Sequence, residues 1–158
     1  MTEDFIPNPD FQKAVEEAAA DGVNAMLLLV STELKAELSK GGTGRIYRRG
    51  GGRRSGRNLR EQGSHQASAA GSPPAADTGA LRRSWTIGSS APRPIVNEYT
   101  RGDRIGMTLG SPLAYARIDS GYGRVLPRPY IQPTIDRTAD LFPEIMAAAI
   151  KRALGGQA

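Results

Sequence analysis

SAAGSPPAADTGALRRSW, residues 68–85, is the stretch on which the organisation of this chain turns. Its first half is built of small residues with almost nothing to bury. Pro73-Pro74 then interrupts regular structure, because a proline has no backbone N–H to donate and fixes its own φ. Asp77-Thr78-Gly79 has turn chemistry. Leu81 and Trp85, followed by Ile87, are the first residues after it that a core can use. No general acid, base or metal ligand converges on this stretch. It marks the border where an open segment becomes a folded one, with Trp85 as a core anchor, and the chain is best read outward from it in both directions.

Upstream, residues 41–76 are rich in Gly, Ser, Arg and Ala, with Ile46, Tyr47 and Leu59 as the few apolar anchors. Burial within such a segment does not offset the entropy of ordering it, so it is expected to be a flexible basic loop in the free monomer, ordered on assembly. The charge is concentrated there. One Lys, seven Arg and one Glu between Lys40 and Glu61 give +7, which leaves −2 for the rest of a chain whose net charge is +5. The protein is therefore a mildly acidic domain carrying a basic insert, and its charge speaks for one loop rather than for the whole surface.

Further upstream lies a long helix. Asn8-Pro9-Asp10 is a start signal: a capping side chain, a proline suited to the first turn, and an acid at the positive end of the helix dipole. Phe11, Val15, Ala18, Ala19, Val23, Met26, Leu27, Val30, Leu34 and Leu38 recur in steps of three and four, which places them on one face. Gly22 weakens the middle by about 1 kcal/mol relative to Ala and leaves room for a kink there. Gly41-Gly42 is the expected stop. At ~1.5 Å per residue the helix measures about 45 Å, longer than a domain of this size is expected to cover, so part of it is predicted to pack on a neighbouring subunit or to project from the domain.

Downstream, Trp85–Ser89, Ile95–Thr100 and Arg104–Leu109 read as an antiparallel meander, divided by Pro92 and Pro94 and by the Arg101-Gly102-Asp103 turn. Pro112 to Asp119 reads as a short helix or turn, broken by Gly121-Tyr122-Gly123. A proline-rich stretch, Leu126 to Tyr130, leads into a helix over about 131–154, with Ile135, Ala139, Phe142, Ile145 and Ala149 on its apolar face. Pro143 predicts a kink or restart inside it. The expectation is a single α+β domain spanning 1–158: a long N-terminal helix, a small antiparallel β-sheet and a C-terminal helix, with the long Gly/Arg-rich loop inserted.

Composition excludes several chemistries. There are no cysteines, hence no disulfide frame and no thiolate metal site. His65 is the only histidine, too few for a histidine metal centre or a triad. Gly41-Gly42-Thr43-Gly44 follows a helix instead of a strand, and no Gly-Lys-Ser/Thr occurs, which is the wrong order for a phosphate cradle. Glu98, Asp103 and Asp119 are scattered at strand ends and turns and read as surface charge. No apolar run reaches the roughly 18 residues of a spanning helix, and a soluble protein without cofactor, metal or enzymatic activity is expected. Arg45, Arg48, Arg49, Arg53, Arg54 and Arg57 are suited either to phosphates, with Tyr47 available to stack, or to acidic surfaces on neighbouring copies.

Three segments in order carry a family likeness. Ala70-Gly71-Ser72-Pro73-Pro74 leads into Asp77-Thr78-Gly79-Ala80-Leu81-Arg82-Arg83-Ser84; Ala114-Tyr115-Ala116-Arg117-Ile118-Asp119-Ser120-Gly121 follows; Arg128-Pro129-Tyr130-Ile131-Gln132-Pro133 opens the C-terminal helix. Together they resemble the tail-completion, or head–tail joining, proteins of siphophage necks, with Asp119 where Glu is usual, Tyr122 where Thr is common, Tyr130 for Phe and Thr134 for Ala. The resemblance implies a virion component of the neck, without enzymatic activity, made in the host cytoplasm and assembled as a six-fold ring between capsid connector and tail tube. Its partners would be further copies, other neck proteins, the tail terminator or the tail tube, with non-specific contact to DNA in the channel and none to membrane. Pro73, Pro74, Leu81, Arg128 and Tyr130 are the expected interface positions beside the arginines. A second reading is a basic nucleic-acid-binding protein that uses the Arg-rich 45–60 arm.

Overall fold

The computed structural model of the protein describes residues 8–48, 64–75, 79–101 and 104–155. It is α+β. Helix α1 (Pro9–Glu37) begins where its capping signal lies: the Asn8 side chain accepts a hydrogen bond from the Asp10 N–H at 3.0 Å. It ends at the Leu38 cap, three residues before Gly41. The helix runs unbroken through Gly22. A methyl group at Gly22 would meet Met146 Sδ at 2.8 Å and Ala149 at 3.5 Å, so the missing side chain permits a close helix crossing.

The C-terminal helix restarts, as Pro143 predicts. Helix α3 (Ile131–Thr138) gives way to a single 3-10 turn (Ala139–Leu141), after which α4 (Phe142–Gly155) begins with Pro143 in its first turn, where no N–H is needed. Helix α4 runs back along α1, bringing Ala149, Arg152 and Ala153 beside Ala14, Glu17 and Ala18. The long helix is thus covered on one side by its own chain, by α4 along its first half and by α3 and the sheet along its second. The expectation that it outruns the domain is not met on that side, although Phe11 and Leu28 remain exposed.

The meander is shorter than expected. Strands β3 (Ile95–Arg101) and β4 (Arg104–Gly110) form one antiparallel hairpin in unbroken register, from Ile95 opposite Gly110 to Arg101 opposite Arg104. The anticipated first strand is absent. In its place α2 (Ala80–Arg83) runs into hydrogen-bonded turns over residues 84–89. Local hydroxyls explain the difference: Ser84 Oγ donates to the Leu81 carbonyl, Thr86 Oγ1 to that of Arg82 and Ser89 Oγ to that of Arg83. They satisfy the backbone in a turn that a strand would have had to satisfy by pairing.

The 41–76 insert is not structureless at its base. Strands β1 (Ile46–Arg48) and β2 (Ser64–Gln66) pair antiparallel as a second small sheet, and Gly44 with Ala67 and Arg45 extends the stem by two further backbone bonds of 2.7 and 3.0 Å. The expected disorder of residues 49–63 lies outside the described residues.

The core lies where these parts meet. Leu34, Leu38, Trp85, Ala116 and Tyr130 are buried together, with Val30, Leu81, Leu109, Leu113, Ile118 and Ile131 around them. Ser31 pins α1 to this core by donating to the Trp85 carbonyl at 2.8 Å and accepting from the Ile87 N–H at 3.1 Å. The Glu37 carboxylate, also buried, takes Lys40 Nζ and Arg137 Nη2, each at 2.7 Å, tying the end of α1 to α3.

Candidate functional site: a three-way joint and the surfaces around it

The three segments singled out in the sequence converge. The short 3-10 helix (Ala114–Asp119) ends at Asp119, whose Oδ1 accepts the Tyr130 N–H at 2.7 Å and the Ile131 N–H at 2.8 Å. These are orphan donors of the first turn of α3, and a carboxylate facing them also meets the positive end of the helix dipole. Asp119 is therefore a helix cap, which corrects its reading as surface charge. The Arg128 N–H donates to the Ile118 carbonyl at 3.0 Å, and the Tyr130 hydroxyl to that of Ala116 at 2.8 Å. The joint fixed by Arg128-Pro129-Tyr130 is thus between the 3-10 helix and α3.

Tyr130 is the centre of this joint, with 0% of its surface exposed. Its ring meets Trp85 edge to face, the centroids 6.1 Å apart, a favoured aromatic geometry. Burial pushes its phenol up from 10.0 to about 12, and the Asp119 charge acts in the same direction. The Trp85 indole N–H opposes this by favouring the ionised phenol, although it makes no aligned hydrogen bond among the described residues.

The turn between the second and third segments needs its glycine. Gly121 has φ +77°, and a Cβ there would stand 2.8 Å from the Val125 carbonyl oxygen and 3.0 Å from the Pro127 nitrogen. The first segment closes the joint from the other side. The Gly71 N–H donates to the Pro127 carbonyl at 3.0 Å, Pro74 is buried and Pro73 half-buried. Leu81 packs on the core, and Ser111 Oγ donates to Ser84 Oγ at 2.7 Å while accepting the Leu113 N–H. Ser84, at 0% exposure, is thereby excluded as a modification site despite the two arginines before it.

Sequence reasoning missed Asp119, Thr134 and Thr138. Both threonines are buried where Ile135 was expected to be, and each returns its hydroxyl to the carbonyl four residues back, Tyr130 and Thr134 respectively. Ile135 and, in the following turn, Leu141 are left 38% and 43% exposed. The acid's distance from the helix it caps, eleven residues across a glycine turn, hides it from any local capping pattern.

The predicted arginines are divided. Arg45 stands at the foot of the β1–β2 ribbon with its guanidinium 5.6 Å from the centre of the Tyr47 ring, a cation–π distance. Arg48 ends β1, opposite Ser64. Arg49, Arg53, Arg54 and Arg57 lie outside the described residues. Among the described residues, neither Arg45 nor Arg48 lies at the joint. Arg128 is at the joint, and its Nε is buried without a hydrogen-bond partner among the described residues.

Two further surfaces complete the picture. An apolar groove of about 460 Å³ runs between α1, β4 and the C-terminal helices, lined by Val23, Leu27, Val30, Met107, Ile135 and Phe142 among others. The hairpin presents Ile95, Val96 and Tyr99 to solvent. No family model, curated protein or solved structure matches this chain.

Proposed function

We propose that the chain is a structural virion protein of a phage neck, a tail-completion subunit that joins the capsid connector to the tail tube as a six-fold ring around the DNA channel. The observation that carries this reading is the convergence of the three resembling segments, spread over residues 70–133, on one buried joint held by Asp119, Tyr130 and the Gly71–Pro127 contact. Residues so arranged fix the relative placement of helices and turns. That is the work of a subunit whose surfaces must meet others at set angles.

Support of a second kind comes from what the fold leaves uncovered: an apolar groove, a hairpin with apolar residues outside, and a basic insert raised on a paired stem. A chain of net +5 whose excess charge is confined to one insert suits a lumen or partner surface of opposite sign better than a uniformly basic coat.

The test is localisation. Particles purified from the source of this sequence should contain the chain in about six copies, and cryo-electron microscopy should find it between connector and tube. Loss of the gene should leave filled heads and unattached tails. Particles that lack the chain, or a deletion with normal head–tail joining, would overturn the reading.

One observation favours nucleic-acid binding by the arm instead: Arg45 stacked on the exposed Tyr47 of the ribbon. That reading expects tight binding of DNA by the isolated chain, falling by decades between 50 and 200 mM salt if six or more phosphates are contacted. It also expects that replacing residues 45–66 by a short linker abolishes binding. Weak binding unaffected by the replacement would remove it.

A further inference from the structure

The β3–β4 hairpin is bare along both of its outer edges. Among the described residues, no backbone N–H or C=O of Ile95–Arg101 or Arg104–Gly110 bonds to any strand, turn or loop outside the hairpin itself. Among the described residues, the one side chain that hydrogen-bonds to its backbone is that of Thr108, which donates to the Asn97 carbonyl across the ladder at 3.5 Å. Two strands are a marginal sheet in water, and natural edges of this length are ordinarily blunted by prolines, lysines, bulges or a covering segment. Charged residues, Glu98, Arg101 and Arg104, are the one such device among the described residues: the register is unbroken over seven pairs, neither strand contains Pro or Lys, and no other described element packs extensively on β3. Ile95, Val96 and Tyr99 are 46%, 40% and 51% exposed.

The pleat sorts the side chains. Met107 and Leu109 turn toward α1, so their partners Glu98 and Val96 share that face. Ile95, Asn97 and Tyr99 share the other with Gly110, Thr108, Gly106 and Arg104.

We infer that the outer edge of β3 is the contact between copies and that its occupant is the outer edge of β4 of the next copy. The two edges are of equal length, seven residues each, and both are unpaired. Copies related by rotation about an axis carry their hairpins in the same sense. Placing them edge to edge therefore puts β3 of one beside β4 of the next in antiparallel order, which is the pairing such edges favour. A β3–β3 pair would need a two-fold axis and would close after two copies, leaving both β4 edges bare. The β3–β4 contact is heterologous, uses both edges, and closes into a ring through the twist that every sheet carries. In that ring the face with Ile95, Asn97, Tyr99, Arg104 and Thr108 lies opposite α1, as one continuous surface of mixed apolar and polar character. The inference deepens the reading of the chain as a ring-forming neck subunit and rests on it for the ring's location, but not for the pairing.

Cysteine cross-linking tests it, because the chain has no cysteine of its own. Asn97 and Thr108 face each other within one copy, on the exposed side of the hairpin, so Asn97→Cys and Thr108→Cys are made as separate chains that cannot close on themselves. Mixed and treated with a short bis-maleimide, they should give covalent dimers whose cross-linked peptide joins 97 to 108. Each variant alone should give at least five-fold less. Dimers from Asn97→Cys alone would show a β3–β3 pair and overturn the inference, and so would the absence of dimers in a sample shown to be oligomeric by light scattering. A sample that stays monomeric at the highest attainable concentration would overturn it too. Rings in particles without the 97–108 link would defeat the edge contact and leave the neck reading standing. The link in a protein absent from particles would do the reverse.

Discussion

Replacing Asp119 should loosen the joint more than any other single exposed-looking acid. In Asp119→Ala two N–H groups at the start of α3, now bonded to Oδ1 at 2.7 and 2.8 Å, lose their acceptor together. Loss of a helix cap typically costs about 1 kcal/mol, and hydrogen bonds to a charged group contribute roughly 1.5–3 kcal/mol net. The two bonds share one oxygen and are not additive, so the expected loss is about 2–3 kcal/mol. With a urea m-value near ~1.5 kcal/mol/M the unfolding midpoint should fall by roughly 1.5–2 M. Asp119→Asn keeps an oxygen in place and forfeits mainly the charge–dipole attraction, so about 1 kcal/mol is expected. The assay is equilibrium urea unfolding at a concentration where the chain is monomeric, since association adds stability of its own. Amide exchange at Tyr130 and Ile131 gives the local readout, and both amides should lose protection in the alanine variant. A cost for Asp119→Ala below about 0.5 kcal/mol, with both amides still protected, would refute the account of the joint.

Three more outcomes follow from the same geometry. Tyr130 holds its proton to about pH 12 in the folded chain and releases it near 10.0 when unfolded. The folded state therefore binds more protons in that window, and the associated stability is whole below pH 10 and lost as the pH climbs toward 12. At ~1.4 kcal/mol per pKa unit this is on the order of 2–3 kcal/mol, and Tyr130→Phe should remove the alkaline slope. Ultraviolet difference titration should show one tyrosine of the five ionising late; five that titrate together near pH 10 would contradict it. Gly121→Ala combines φ +77° with a Cβ 2.8 Å from a carbonyl oxygen and should cost about 2 kcal/mol or more in a thermal melt, whereas Gly123→Ala, with φ +56° and open space around it, should cost only about 1 kcal/mol. Gly22→Ala gains roughly 1 kcal/mol of helix propensity and asks only the flexible end of Met146 to move, so its stability should stay within about 1 kcal/mol of the parent. Gly22→Val, whose branch reaches Ala149, should lose about 2 kcal/mol by chemical denaturation.

What was legible in the sequence is what is encoded within a few residues. The Asn8-Pro9-Asp10 start of α1 and the restart at Pro143 both depend on groups one turn apart, and both lie where the pattern puts them. The helix at Ala80–Arg83 was hidden because Leu81, Trp85 and Ile87 also fit the opening of a strand. The choice is made by hydroxyls that bond locally and by Ser31, fifty-four residues away from the Trp85 carbonyl it holds. The β1–β2 stem was hidden for a different reason. Composition speaks to average burial, and three paired residues on either side of a basic run leave no mark on an average.

The joint itself is the instructive failure. Its segments were found as three separate signatures, and Asp119 was read alone, as one more acid at a turn. A cap that acts across eleven residues becomes recognisable only when the intervening turn is known to fold back, and that turn depends on Gly121, whose positive φ the sequence signals only as a glycine between polar neighbours. The same logic weighs the surfaces. Tyr130, Thr134 and Thr138 turn inward because the capped start of α3 sets its rotation, and that rotation leaves Ile135 and Leu141 outside. Exposed apolar residues on α3 and its C-terminal continuation are thus a consequence of how firmly the joint is made, not of a poorly formed core. A subunit that fixes its buried angles at the cost of leaving apolar residues outside is stable alone only to the extent that the joint holds. Asp119→Ala should accordingly weaken assembly at concentrations where the monomer is still folded, an effect a purely local cap would not have.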